Sequence, residues 1–140
     1  MAYADTSVLV AYYCPEALSP SAQSALQKGG RHTISPLTEV EFCSALSLKT
    51  RSKEMELNAA NRVLALFRRH CAEGFYNIVP TESGQFEQAC NWIAAFSTPL
   101  RTVDALHLAA AFVHGLELLT ADRSLARSAK ILNVRYKLIS

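Results

Sequence analysis

The sequence predicts one α/β domain over residues 1–140, with a mainly parallel central sheet of about four to five strands flanked by helices. Three observations predict it. Short apolar runs suited to buried strands alternate with longer segments of helical period, the order that a parallel sheet with crossover helices requires. The 140 residues can bury one sizeable core but not two ordinary domains. No internal repeat, low-complexity tract or linker interrupts the alternation.

Residues 2–5 read as a short buried strand leading into a helix over Thr6–Tyr13. Pro15 and Pro20 punctuate the connection to a helix near residues 21–28, which Gly29-Gly30 ends. His32–Ile34 follows as a second strand, and Ser35 offers an N-cap oxygen ahead of Pro36 at the first helical position. That helix runs to about residue 51. Leu57, Ala60, Leu64, Phe67 and Cys71, spaced three and four apart, mark the clearest helical stripe, with Gly74 closing it; the stripe is core or interface. Residues 76–79 form a third strand, and Phe86, Ala89, Cys90, Ile93 and Phe96 mark an amphipathic helix before Pro99. The segment from residue 102 to 114 is apolar nearly all round, which places it in the interior, and Gly115 ends it. A strand over Glu117–Thr120, a helix over about 122–130 and a strand over 133–136 complete the chain.

Half the residues are hydrophobic and 19% are charged, a balance that supports a packed core and excludes an extensively disordered chain. The four cysteines, Cys14, Cys43, Cys71 and Cys90, include no CxxC pair and no histidine at zinc-finger spacing. Cys43, Cys71 and Cys90 fall in helical patterns, which suggests buried core thiols in a reducing compartment. The apolar run over residues 8–13 has no basic segment before it and no cleavage site after it, so neither a signal peptide nor a membrane span is expected, and the expected location is cytoplasmic. Net charge is +2, but with four of the twelve acids gathered at one site, fourteen basic residues would stand against eight acids. Lys49, Arg51 and Lys53 form one basic group; Arg123, Arg127, Lys130, Arg135 and Lys137 form another. An acidic pocket in a basic surround suits a polyanionic substrate that must reach a cation.

In open parallel sheets ligands bind beyond the carboxyl ends of the strands. Asp5 and Asp122 fall at such strand-to-helix transitions, where either could equally serve as a helix N-cap. Asp104 lies in the first turn of the apolar helix, and a carboxylate there needs a cation or donors to offset its desolvation. His107, one turn on, reads as a satisfied core histidine sooner than a ligand. The segment SPLTEVEF offers Glu39 and Glu41; two residues apart on a helix, they cannot both enter one site, and periodicity does not choose between them. Neither GxGxxG nor GxxxxGK[ST] is present, so nucleotide-binding folds are not indicated. Asp5-Thr6-Ser7 also lacks the DxD pair of haloacid-dehalogenase phosphatases, and no acidic pair precedes Asp5 as in a receiver domain.

The segments YADTSVLVAYY, SPLTEVEFCSAL, RTVDALHLAAA and LLTADRSLARSA stand in the order and approximate spacing of the PIN-domain family. From residue 2 to about 136 the chain resembles that family, and most of all the VapC-like toxin ribonucleases of type II toxin–antitoxin pairs. The resemblance implies a PIN-like domain whose catalytic and metal-binding acids are Asp5, Glu41, Asp104 and Asp122, with family register favouring Glu41 over Glu39. It further implies that Thr120 matches a hydroxyl that helps hold site water or phosphate.

Oxygen donors without His or Cys favour Mg²⁺, with Mn²⁺ as a possible substitute. The implied activity is endonucleolytic cleavage of RNA, leaving a 5′-phosphate and a 3′-hydroxyl with no covalent enzyme intermediate. Arg123 and Arg127, beside Asp122 and one turn on, are candidates for gripping phosphate. Family resemblance also implies a homodimer and a small antitoxin partner. An RNA-processing PIN nuclease without antitoxin and a non-catalytic PIN-fold binding module are the alternatives; length leans toward the toxin, and the filled acid positions toward an enzyme.

Overall fold

In the computed structural model, which describes residues 1–140, five strands form one sheet in the order β3-β2-β1-β4-β5. They are β1 (Ala2–Ala4), β2 (His32–Ile34), β3 (Tyr76–Ile78), β4 (Glu117–Thr120) and β5 (Tyr136–Leu138), and every pairing is parallel. Parallel neighbours need crossover connections, and helices supply all of them. Helices α1 (Thr6–Tyr13) and α2 (Ser19–Gln27) join β1 to β2, and α3 (Pro36–Arg51) and α4 (Leu57–Ala72) join β2 to β3. Helices α5 (Ser83–Ala94) and α6 (Thr102–Val113) lead to β4, and α7 (Arg123–Ile131) leads to β5.

Alternation along β1 sorts these helices into two layers, because successive strand side chains point to opposite faces. Tyr3 and its register partner Leu118 pack with Ala89 of α5, Leu108 and Ala110 of α6 and Leu125 of α7. Ala4 packs on the other face with Leu9 of α1, Phe42 of α3 and Phe67 of α4, while Ala2 and Leu119 meet Val8, Ala11 and Ala22 from α1 and α2. Ala105 through Ala111 are all buried, as an all-round apolar helix requires.

The last strand begins at Tyr136, not at residue 133. Asn133 takes a left-handed φ of 58°, the Asn133 and Val134 N–H groups donate to the carbonyls of Lys130 and Ala129, and the Val134 side chain is buried. Those residues end α7 in a left-handed C-cap whose apolar residue docks on the core. Helix α2 starts at Ser19, so Pro20 sits in its first turn, where a missing N–H costs no helical bond, and does not belong to the connection. The cysteines depart from the expected burial: Cys14 is buried, Cys43 and Cys71 are partly buried and Cys90 is exposed, all unpaired. On α5 the buried residues are Gln85 and Ala89, and Cys90 is turned one residue away from that line. In the α4 stripe Ala60 and Phe67 are core and Leu64 and Cys71 flank it, but Leu57 is 68% exposed. No helix is long and apolar enough to cross a membrane.

Candidate active site

The chain leaves β1 toward β2 on one side and returns to β4 on the other, so the strand order reverses between β1 and β4. Beyond the carboxyl ends of such a pair lies the crevice where open α/β sheets bind ligands. Asp5 follows β1 directly, Ser35 follows β2, and Asp122 stands two residues past β4.

Asp5 is the N-cap of α1 and is only 4% exposed. Its Oδ1 accepts from the Val8 N–H at 3.3 Å and the Ser7 hydroxyl at 2.5 Å, and its Oδ2 accepts from the Thr120 hydroxyl at 2.6 Å. Burial pushes its pKa up, against the Ser7 and Thr120 bonds, which pull it down. Thr120 Oγ1 also accepts from the Asp122 N–H at 3.0 Å, and Ser7 Oγ accepts from the Ala121 N–H at 2.8 Å, so two hydroxyls tie the β1–α1 and β4–α7 turns together. Thr120 is fully buried, and its hydroxyl donates to Asp5 and so orients that acid. Thr120→Val is expected to cost about 1.5–3 kcal/mol, the range for a hydrogen bond to a charged group. Urea unfolding at neutral pH measures it, and the loss should shrink at a pH low enough to protonate Asp5.

The structure gives Glu39 and Glu41 different surroundings. Glu41 Oε1 accepts from the Thr6 hydroxyl at 2.7 Å and from His107 Nε2, while its Oε2 takes part in neither bond. Glu39 faces α4, where Arg68 lies 3.6 Å away, and both side chains are more than half exposed. Burial raises the Glu41 pKa, but the His107 and Thr6 bonds outweigh it and leave the carboxyl below its ordinary value.

Asp104, in the first turn of α6, is half-buried. Burial raises its pKa most, and the charges of Asp122 and Glu41 raise it further. Asp122 caps α7, with Oδ1 accepting from the Ser124 N–H at 2.8 Å and the Leu125 N–H at 3.2 Å. Asp5 and Asp122 are thus both helix caps, each using one oxygen on the cap. Arg123 and Arg127 are exposed on α7 and pair with none of these acids.

Sequence reasoning passed over Tyr3, read Ser35 only as an N-cap and saw only half of what His107 does. Ser35 Oγ lies 2.8 Å from the Tyr3 hydroxyl, which lies 2.6 Å from His107 Nδ1, and His107 Nε2 reaches Glu41. His107 is a satisfied core histidine, but one of the groups that satisfies it is the Glu41 carboxylate. A tyrosine hydroxyl inside an otherwise Ala-lined strand was the available signal, since a buried phenol usually finds a partner.

No three His, Cys, Asp or Glu side chains converge closely enough to ligate one ion together. A hydrated Mg²⁺ asks for less, because it keeps several waters and takes one or two carboxylates plus substrate phosphates. An all-oxygen donor set in which neighbouring carboxylates push the Asp104 pKa up fits such a cation. An open groove of about 560 Å³ runs beside Glu41, Thr6 and Ser7 between α1 and α3, with Arg51 on its wall.

A family model described as "PIN domain" matches residues 2–131. The fold is similar to that of FitAcB from Neisseria gonorrhoeae, with a TM-score of 0.70 and 16% identity over 97% of this chain and 96% of that one. It is similar also to VapC20 of Mycobacterium tuberculosis, described as a Sarcin-Ricin loop cleaving toxin (TM-score 0.71, 18% identity, 91% and 95% coverage). A third similar structure is VapBC2 from Rickettsia felis bound to a DNA fragment from their promoter (TM-score 0.71, 15% identity, the whole of both chains). No curated protein matches the sequence. At these identities the structural likeness concerns the fold.

Proposed function

The chain belongs to the PIN domain family, and from that premise we propose that it is a Mg²⁺- or Mn²⁺-dependent endoribonuclease, the toxin of a type II toxin–antitoxin pair. One observation supports the chemistry: Asp104 lies within range of the charges of Glu41 and Asp122, at the end of the sheet where Asp5 follows β1 and Asp122 follows β4. Asp5 and Asp104 would hold the cation, with Glu41 and Asp122 as further oxygen donors. When bound, the metal supplies Lewis acidity and an acidified water.

The chain's own groups do the rest. A site carboxylate accepts a proton as the water oxygen bonds to phosphorus; the bond from phosphorus to the 3′ oxygen breaks, and that oxygen takes up a proton. The products are a 5′-phosphate and a 3′-hydroxyl, with no bond to the enzyme. Arg123 and Arg127 contact flanking phosphates as charged donors. Single-stranded or looped RNA is the substrate form that enters a carboxylate-lined cleft, because a duplex keeps its backbone on a rigid, wide helix.

Incubating the purified protein with single-stranded RNA in Mg²⁺, Mn²⁺ or EDTA tests this. Cleavage is expected with either metal, none in EDTA, and recovery on addition of excess Mn²⁺. Cleavage that persists in EDTA overturns the metal mechanism, and RNA left intact in both metals overturns the nuclease assignment. The toxin assignment draws on the toxins and toxin–antitoxin complexes among the similar structures. Its partners are a small antitoxin and a second copy of this chain. Co-expression with a short reading frame just upstream of the gene separates it from an RNA-processing enzyme: an antitoxin co-purifies and suppresses cleavage, whereas a processing enzyme cleaves regardless.

A further inference from the structure

We propose that His107 is the positioning residue of Glu41, held by Tyr3 and Ser35 so that Glu41 Oε1 is occupied and Oε2 is the oxygen left for the cation. The role rests on the metal-dependent function proposed above. The four side chains come from four separate elements, β1, the end of β2, α6 and α3, so the connection is tertiary and not a by-product of one helix.

Donor and acceptor chemistry fixes the Glu41 end of the chain of bonds. An ionised carboxylate only accepts, so His107 Nε2 carries the hydrogen. On the other side of the ring, Nδ1 lies 2.6 Å from the Tyr3 hydroxyl, which holds the imidazole in place. The Tyr3 hydroxyl is in turn hydrogen-bonded to the Ser35 hydroxyl at 2.8 Å. None of these polar atoms is left buried without a partner, which is why an imidazole only 1% exposed is tolerated in the otherwise apolar α6.

The consequence falls on Glu41. A glutamate rotates about three bonds, and its two oxygens are equivalent until something distinguishes them. Thr6 and His107 both engage Oε1, which orients the carboxylate plane and leaves Oε2 as a single pre-aimed donor. Outer groups that orient a metal ligand in this way typically change metal affinity or activity by about 10–100-fold when removed.

The test separates a donor at one position from mere space filling. In His107→Gln the amide nitrogen reproduces the position of Nε2, in His107→Asn it reproduces only that of Nδ1, and His107→Leu fills the space without a donor. Mn²⁺ affinity is read by calorimetry without RNA, and kcat and KM are read separately with RNA. Asn and Leu are expected to weaken Mn²⁺ binding by about 10–100-fold and to lower kcat more than they change KM, with Gln recovering most of the loss. Folded Asn and Leu variants that bind Mn²⁺ like the parent protein overturn the role, as does a Gln variant no better than Leu.

Should the His107 variants fail to fold, Tyr3→Phe removes the relay and keeps the ring. It should weaken Mn²⁺ binding and shift the ¹⁵N resonance of His107 Nδ1, and an unmoved resonance with parental Mn²⁺ affinity overturns the proposal. A parent protein that neither binds Mn²⁺ nor cleaves RNA defeats the metal-dependent function itself. A parent that does both, with variants that match it, defeats only the role of His107.

Discussion

Asp104→Asn is expected to lower RNA cleavage by about a thousandfold or more, the scale on which several kcal/mol of metal-assisted transition-state stabilisation are lost, and at the same time to raise the melting temperature of the metal-free protein. The two effects share a cause. Asp104 is half-buried in the first turn of α6 and faces the charges of Asp122 and Glu41. The helix dipole favours a negative charge there, but burial and like charge prevail and lift the pKa above its ordinary value.

A raised carboxylate pKa means that the folded chain holds the proton more tightly than the unfolded chain. The contribution of this group to stability is therefore fullest below the unfolded pKa, declines as pH rises through the folded pKa, and is a standing penalty at neutral pH. Asparagine cannot ionise, so the substitution removes the penalty, and the advantage of the variant should vanish on acidification. Glu41, whose pKa is lowered, contributes with the opposite sign, stabilising above its ordinary pKa and losing that contribution as pH falls. It is present in both proteins, so the comparison cancels much of its effect. Mg²⁺ should raise the melting temperature of the parent protein by binding only its folded form, and should raise that of the variant much less. A variant that cleaves at the parental rate, or melts lower without metal, would remove Asp104 from the site.

The sheet was legible because strand and helix periods differ and the chain alternates between them. Its boundaries failed where a side chain overrode the pattern: Asn133 turned left-handed and moved the start of β5 to Tyr136. The strand-end placement of Asp5 and Asp122 was legible because a strand end followed by a helix is a local pattern, and both cap the helix that follows. What stayed hidden depends on distance in sequence. Tyr3 meets Ser35 across 32 residues and His107 across 104, and no periodicity encodes such a meeting. The Cys90 expectation failed for a related reason, since an amphipathic pattern fixes a buried line only to within one neighbouring residue.

Glu39 and Glu41 show the same limit and yield the sharpest paired prediction. Both lie on α3, and only their neighbours from other elements separate them: Arg68 for Glu39, Thr6 and His107 for Glu41. Glu41→Gln is expected to lower cleavage by about a hundredfold or more and to lower the unfolding midpoint modestly at neutral pH, because the ionised form favoured by His107 and Thr6 is lost. The amide can turn its oxygen toward the Thr6 hydroxyl and His107 Nε2, so both donors stay satisfied. Its NH₂ group then takes the place of Oε2, and a donor stands where a cation needs an oxygen. Glu39→Gln removes only an exposed partner of Arg68, a contact worth about 0–1 kcal/mol, and should leave both cleavage and stability near parental values. Cleavage and urea-unfolding measurements on the two variants check the pair. Loss confined to Glu39→Gln would mean that the hydrogen bonds around Glu41 serve the fold alone, and equal loss in both would mean that those bonds do not set Glu41 apart from Glu39. Loss confined to Glu41→Gln, with the fold intact, makes the free oxygen of that carboxylate the part that matters, because every other contact of the side chain survives the substitution.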